Sequence, residues 1–175
     1  MKLFPYIAPL LTFLVLPAAQ AATLTDDEIV AVVATANTAE INAGKLAKSN
    51  GYKKEVREFA EIMISDHRKM DAEMGKIAVK LKLNPTPSDL SAGLKADADE
   101  AMEDLKIAPK GPIFDKEYVA SQLVMHQQVL ETFNNDLIPN ARNSELKKLL
   151  EKARAKIQSH LDHAAKLHEE ITANI

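Results

Sequence analysis

Four ionisable residues stand where apolar ones are expected: Glu40, His67, His126 and His160. His67 lies in "EIMISDHRKMDAEM" (61–74), where Met63, His67, Met70 and Met74 recur at the 4-3-4 spacing of one helical stripe. The same pattern places Glu40 among Ile29, Val32, Ala36, Ala43 and Ala47. His126 falls among Val119, Leu123, Leu130, Phe133 and Leu137, and His160 among Leu146, Leu150, Ala153, Ile157, Ala164, Leu167 and Ile171. An imidazole or carboxylate at a core position costs several kcal/mol unless it is paired or bound to a metal. Four scattered intruders would be hard to tolerate, whereas four that meet are tolerable.

Three imidazoles and a carboxylate suit one divalent transition ion, such as zinc, copper or iron. Two other readings stay open: a hydrogen-bonded cluster with Glu40 as acceptor, and histidines at the edge of the fold in water. Met63, Met70, Met74 and Met125 would offer soft thioethers to Cu(I), but a methionine stripe at this spacing also serves as core filler. His163 and His168 fall off the stripe and read as solvated. Asp66 projects about 100° around the helix from His67, so adjacency in sequence does not make it that histidine's partner.

Helices must position these residues. "TDDE" (Thr25 to Glu28) is a capping box that starts a helix running to about Ser49, stopped by Asn50-Gly51. A second helix runs from about Lys53 to Leu83 and ends before "NPTP". Residues 88–106 carry a weaker periodicity, read as a short crossover helix closed by "APKGP". A third long helix begins near Asp115, taken as its N-cap, and fades around Asn135. "LIPNARN" makes a turn, and a fourth helix runs from about Ser144 to Thr172. This order predicts an all-α, ferritin-like four-helix bundle with a short crossover helix between the second and third long helices. Counted outward from their turns, the intruders of each hairpin lie at similar depth, within about two helical turns.

Composition agrees. Alanine, lysine, glutamate and leucine dominate, and cysteine and tryptophan are absent. Lacking cysteine excludes disulfides, zinc–thiolate sites, iron–sulfur clusters and a thiol nucleophile. The net charge is −3, from 22 basic and 25 acidic residues, which argues against nucleic-acid binding. There is no glycine-rich phosphate loop, nucleophile elbow or HExxH, so the chain reads more as a binding protein than as an enzyme. An enzyme using a metal-bound water would need an open coordination position and a pocket. A protein partner or a homo-oligomer stays open.

Residues 1–21 follow other rules. Lys2 precedes "LFPYIAPLLTFLVLP", too short and proline-rich for a membrane span, and Ala19 and Ala21 occupy the small-residue positions of a cleavage site. We expect a signal peptide at 1–21, a single domain at 22–175 with no membrane span, and export to the periplasm, with outer-membrane association open.

Four stretches then carry a resemblance: "AEINAGKLA" (39–47), "VREFAEIMISDHRKM" (56–70), "FDKEYVASQLVMHQQVLETF" (114–133) and "LKKLLEKARAKIQSHLDHA" (146–164). Together they resemble an exported bacterial, ferritin-like family of unknown function (domain of unknown function 4142), whose members are labelled outer-membrane proteins. The resemblance implies a ferritin-like bundle, an exported location and recurring polar positions at Glu40, Asp66, His67, Asp115, His126 and His160. It implies no activity. Di-iron proteins of ferritin-like fold use Glu-x-x-His on two helices. Here Ile64, Leu123 and Ile157 precede the three histidines by three, which speaks against a di-iron centre.

Overall fold

The structure, a computed structural model, describes residues 23–173; the expected signal peptide lies outside the described residues. Among them all regular structure is helical, with no strand. The elements are α1 (Asp26–Asn50), α2 (Lys54–Leu81), α3 (Asp89–Ile107), α4 (Pro112–Thr132), a π-helical turn (Phe133–Leu137), a three-residue turn α5 (Ile138–Asn140) and α6 (Ser144–Thr172). No helix here is long and apolar enough to cross a membrane. α1 packs along α2, α2 along α6, α6 along α4 and α4 along α1, while α3 touches α1 and α4.

Local chemistry sets most of the boundaries. Thr25 and Glu28 form the expected capping box of α1. Gly51 ends α1 with φ −56°, not in the left-handed region. Glycine is needed there for space, since a Cβ would lie 2.8 Å from the Ala47 carbonyl oxygen and 3.0 Å from Arg57 Cγ. α4 departs from the expected start. It begins at Pro112, whose fixed φ suits a first helical position, after Gly111 at φ 97°. It also does not fade near Asn135, because the π turn carries it on to Leu137.

Asp115 is therefore not the N-cap of its own helix. Its carboxylate accepts the Tyr52 and Lys53 amides, both at 2.8 Å, just ahead of α2. Lys53, the N-cap of α2, contributes no side-chain cap of its own. Asp26 does the same at the start of α6, accepting the Arg142 and Asn143 amides at 2.8 and 3.1 Å. In each case a first-turn carboxylate of one helix satisfies the orphan amides of another, and favours the positive end of its dipole. The two clasps fix the depth at which the helix pairs meet.

The seams pack as their periodicity requires. Every apolar seam position read on α1 and α6 is buried; Met70, Ile77, Leu81 and Leu123 are half-buried. α1 and α2 approach closely at Gly44, where a Cβ would come within 2.9 Å of Ile64 Cγ1. The core divides into two apolar clusters. One holds Ile29 to Ala36, Met74, Val129 and Leu146 to Ile157; the other holds Ala43, Ala47, Val56 to Met63, Phe114 to Val119 and Ala164 to Ile171. Between them, on each of α1, α2, α4 and α6, falls the stretch that carries the ionisable residue.

Candidate metal centre

His67, His126 and His160 meet. They are 3%, 1% and 2% exposed. Their ring centroids lie 5.8 Å (His67–His126), 5.3 Å (His67–His160) and 5.5 Å (His126–His160) apart. One nitrogen of each ring lies within 4.8 Å of those of the other two. A tetrahedral ion with bonds of about 2.05 Å needs such nitrogens about 3.4 Å apart. From at most 4.8 Å, the nitrogens would have to close by at most about 1.4 Å to reach it.

Each ring is also held by one nitrogen only. His67 Nδ1 lies 3.0 Å from Asn37 Oδ1. His126 Nδ1 lies 2.9 Å from the Gln122 backbone oxygen. His160 Nε2 lies 3.2 Å from Asp66 Oδ2. The backbone oxygen and the carboxylate can only accept, and the carboxamide presents its oxygen, so in each pair the ring nitrogen donates. The opposite nitrogens, His67 Nε2, His126 Nε2 and His160 Nδ1, are buried and have no partner. Metal-bound histidines show this arrangement, with one nitrogen orienting the ring and raising its basicity while the other keeps its lone pair for the ion.

His67 and His160 are neutral at ordinary pH. Burial, and then the neighbouring His126 and His160, hold the His67 pKa well below its usual value. Burial lowers that of His160 to about 4, against the opposing bond from Asp66. Burial works to raise the Asp66 pKa, but His160, Lys156 and Lys69 outweigh it and leave it lowered, so this carboxylate stays charged. Neutral imidazoles are the form a metal takes.

Glu40 lies nearby but outside the triangle. Its Oε1 is 3.6 Å from His126 Nδ1, the nitrogen bonded to Gln122, so it stands behind that ring. Burial raises the Glu40 pKa, tempered by His126 and then by the Gln122 carboxamide. That carboxamide is close enough to act on the charge, yet neither Glu40 oxygen completes a hydrogen bond. Tyr118 completes the group, its pKa pushed well up by burial and then by Glu40. A cavity of about 10 Å³, lined in part by Asn37, Glu40 and His67, has room for one water-sized body.

Among the described residues, the buried side-chain polar atoms without partners belong to Asn37, Glu40, His67, Tyr118, Gln122, His126 and His160, nine atoms in all. Native interiors rarely leave such groups unpaired, and an ion or water is a standard explanation. Reading the seams for charge missed Asn37, Tyr118 and Gln122. Their spacing was available: Asn37 lies one turn before Glu40, and Gln122 and Tyr118 lie one and two turns before His126. Asp66 serves His160, 94 residues away, and not His67. Met63 is core, packed in the second cluster, and Met74 is core in the first. His163 is exposed and set edge-on to Phe59 at 4.9 Å.

Comparison with known proteins adds a family and nothing on chemistry. Residues 14–167 match the family described as Domain of unknown function (DUF4142). No curated protein and no solved structure matches the chain.

Proposed function

Since this chain belongs to the DUF4142 family, whose description carries no activity, its function must come from its own geometry. We propose that it binds one divalent transition-metal ion through His67, His126 and His160. The observation that carries this reading is the set of three buried imidazoles, each oriented through one nitrogen and unpaired at the other. A purely structural network would spend those lone pairs on donors. Glu40 takes the role of charge partner behind His126, offsetting a dication held by three neutral ligands. Zinc, copper and iron all accept imidazole, and one buried carboxylate beside the cluster is too few for a di-iron carboxylate centre.

The scaffold in this proposal is a ferritin-like four-helix bundle of α1, α2, α4 and α6, with α3 as the crossover. The cyclic packing of the four helices and the ionisable residue at mid-length of each support it. We place the mature protein in the periplasm, on the strength of the leader-like residues 1–21. N-terminal sequencing of the exported protein should begin at Ala22.

The test of metal binding is direct. Mature protein without a histidine tag is loaded with Mn²⁺, Fe²⁺, Co²⁺, Cu²⁺ or Zn²⁺, desalted, and assayed by native mass spectrometry. One ion per chain is expected, lost in His67→Ala, His126→Ala and His160→Ala. Sub-stoichiometric metal for every ion would overturn the proposal and leave the hydrogen-bonded cluster as the reading.

A further inference from the structure

A site whose ligands are at most 3% exposed needs a route by which its ion arrives. Two grooves of similar size flank the cluster. One, of about 420 Å³, lies between α2 and α6, with Met70, Met74, Leu149 and Ala153 among its walls and Val33 of α1 reaching into it. The other, of about 410 Å³, lies between α1, α3 and α4, with Thr38, Met102, Gln122 and Met125 among its walls.

Of the two grooves, the one between α2 and α6 borders the small cavity beside His67. Val33, Met70 and Ala153 line both spaces, so these three side chains are the partition between the groove and the cavity beside His67. The other groove reaches the polar interior at Gln122 alone, whose amide atoms are fully covered. Of the partition residues, Val33 and Ala153 are buried and short, whereas Met70 is half-buried. An unbranched thioether with three rotatable bonds moves aside more readily than any other apolar side chain of its size. It also touches soft and borderline cations without holding them as a carboxylate would.

The groove is tied to the cluster a second way. Asp66, whose side chain is 17% exposed, lines its wall and bonds His160. The rim carries three lysines against two carboxylates, a net charge of +1, with every lysine held near a carboxylate. Lys152 pairs with Glu73 at 2.9 Å, and Lys69 and Lys156 each lie 3.4 Å from Asp66.

We infer that the α2/α6 groove is the loading route of the metal site, with Met70 as the movable partition. This rests on the metal reading above and adds to it the path and the residue that controls the rate. The ion docks in the groove, Met70 swings outward, and the ion passes between Val33 and Ala153 to the three free nitrogens.

Stopped-flow mixing of the metal-free mature protein with Co²⁺, followed by the visible absorbance of the bound ion, tests it. Met70→Ala should load about tenfold faster or more and Met70→Phe about tenfold slower, a barrier change of about 1.4 kcal/mol each way. The final absorbance and one-to-one stoichiometry should be unchanged. The same two substitutions at Met125, half-buried in the other groove, should leave the rate within about twofold. They control for general loosening or overpacking of the core. Met70→Ala keeps the test valid should the phenylalanine variant fail to fold. Rates indifferent to Met70, or changed equally by Met125, overturn the route while leaving the site standing. Failure of the wild type to take up Co²⁺ or any of the other four ions overturns the metal reading itself.

Discussion

Replacing His126 with leucine separates a metal site from a structural network, because the two readings give the substitution opposite signs. In the metal-free protein His126 is 1% exposed and its Nε2 has no partner. Removing a buried, unsatisfied polar atom recovers about 1–3 kcal/mol. Against this stands the loss of the Nδ1 bond to the Gln122 oxygen, a net contribution of about 1 kcal/mol. That oxygen is not orphaned, since it keeps the ordinary helical bond from the His126 amide. The balance is about 0–2 kcal/mol of added stability, or a Tm gain of up to about 8 °C in a chain of this length. With metal at a hundred times its Kd the wild type gains about 2.7 kcal/mol and the variant gains none. The two melting curves should therefore exchange order between chelator and metal, as read by calorimetry or circular dichroism. A variant that loses about 3 kcal/mol or more in chelator, with no response of the wild type to metal, would refute the reasoning.

The cluster also sets a pH dependence in the metal-free protein. His67 and His160 have lowered folded pKa values, so the unfolded chain binds their protons more readily and stability falls as the pH drops below about 6.5. His160 alone, lowered to about 4, accounts for about 3 kcal/mol across that window. Glu40 has the opposite sign: its raised pKa means acidification relieves a penalty and works against that loss. Urea unfolding in chelator should show a net loss of stability between pH 7 and pH 4, and a flat or rising profile would contradict it. Asp115→Ala should cost about 3 kcal/mol by orphaning the Tyr52 and Lys53 amides. It should leave metal stoichiometry untouched, since Asp115 fastens helices and touches no ring; loss of metal in a folded Asp115→Ala would break that assignment.

Several sequence readings survived because they depend on local physics. The ends of α1 and α6 follow from Thr25 with Glu28 and from the run beginning at Ser144. A capping box and a 3.6-residue stripe are properties of one helix, and need no partner to be recognised. The start of α4 was misread for the same reason in reverse. Asp115 has the chemistry of an N-cap, and only the neighbouring α1–α2 turn shows whose amides it caps.

The sequence by itself determined an all-helical chain with one ionisable residue on each of four apolar stripes, and hence a probe for a site. Hydrophobic periodicity and the cost of a buried charge are enough for that. Tertiary structure alone decided that three histidines meet and that Glu40 stands behind His126. It also decided that Asp66 orients a ring on another helix, and which nitrogen of each ring stays free. Those facts depend on the rotation and depth of each helix against its neighbours. A slip of one residue moves a side chain by about 1.5 Å along the axis and about 100° around it. No pattern within a single helix fixes that register; the packing of the seams, the Asp26 and Asp115 clasps and the close approach at Gly44 do.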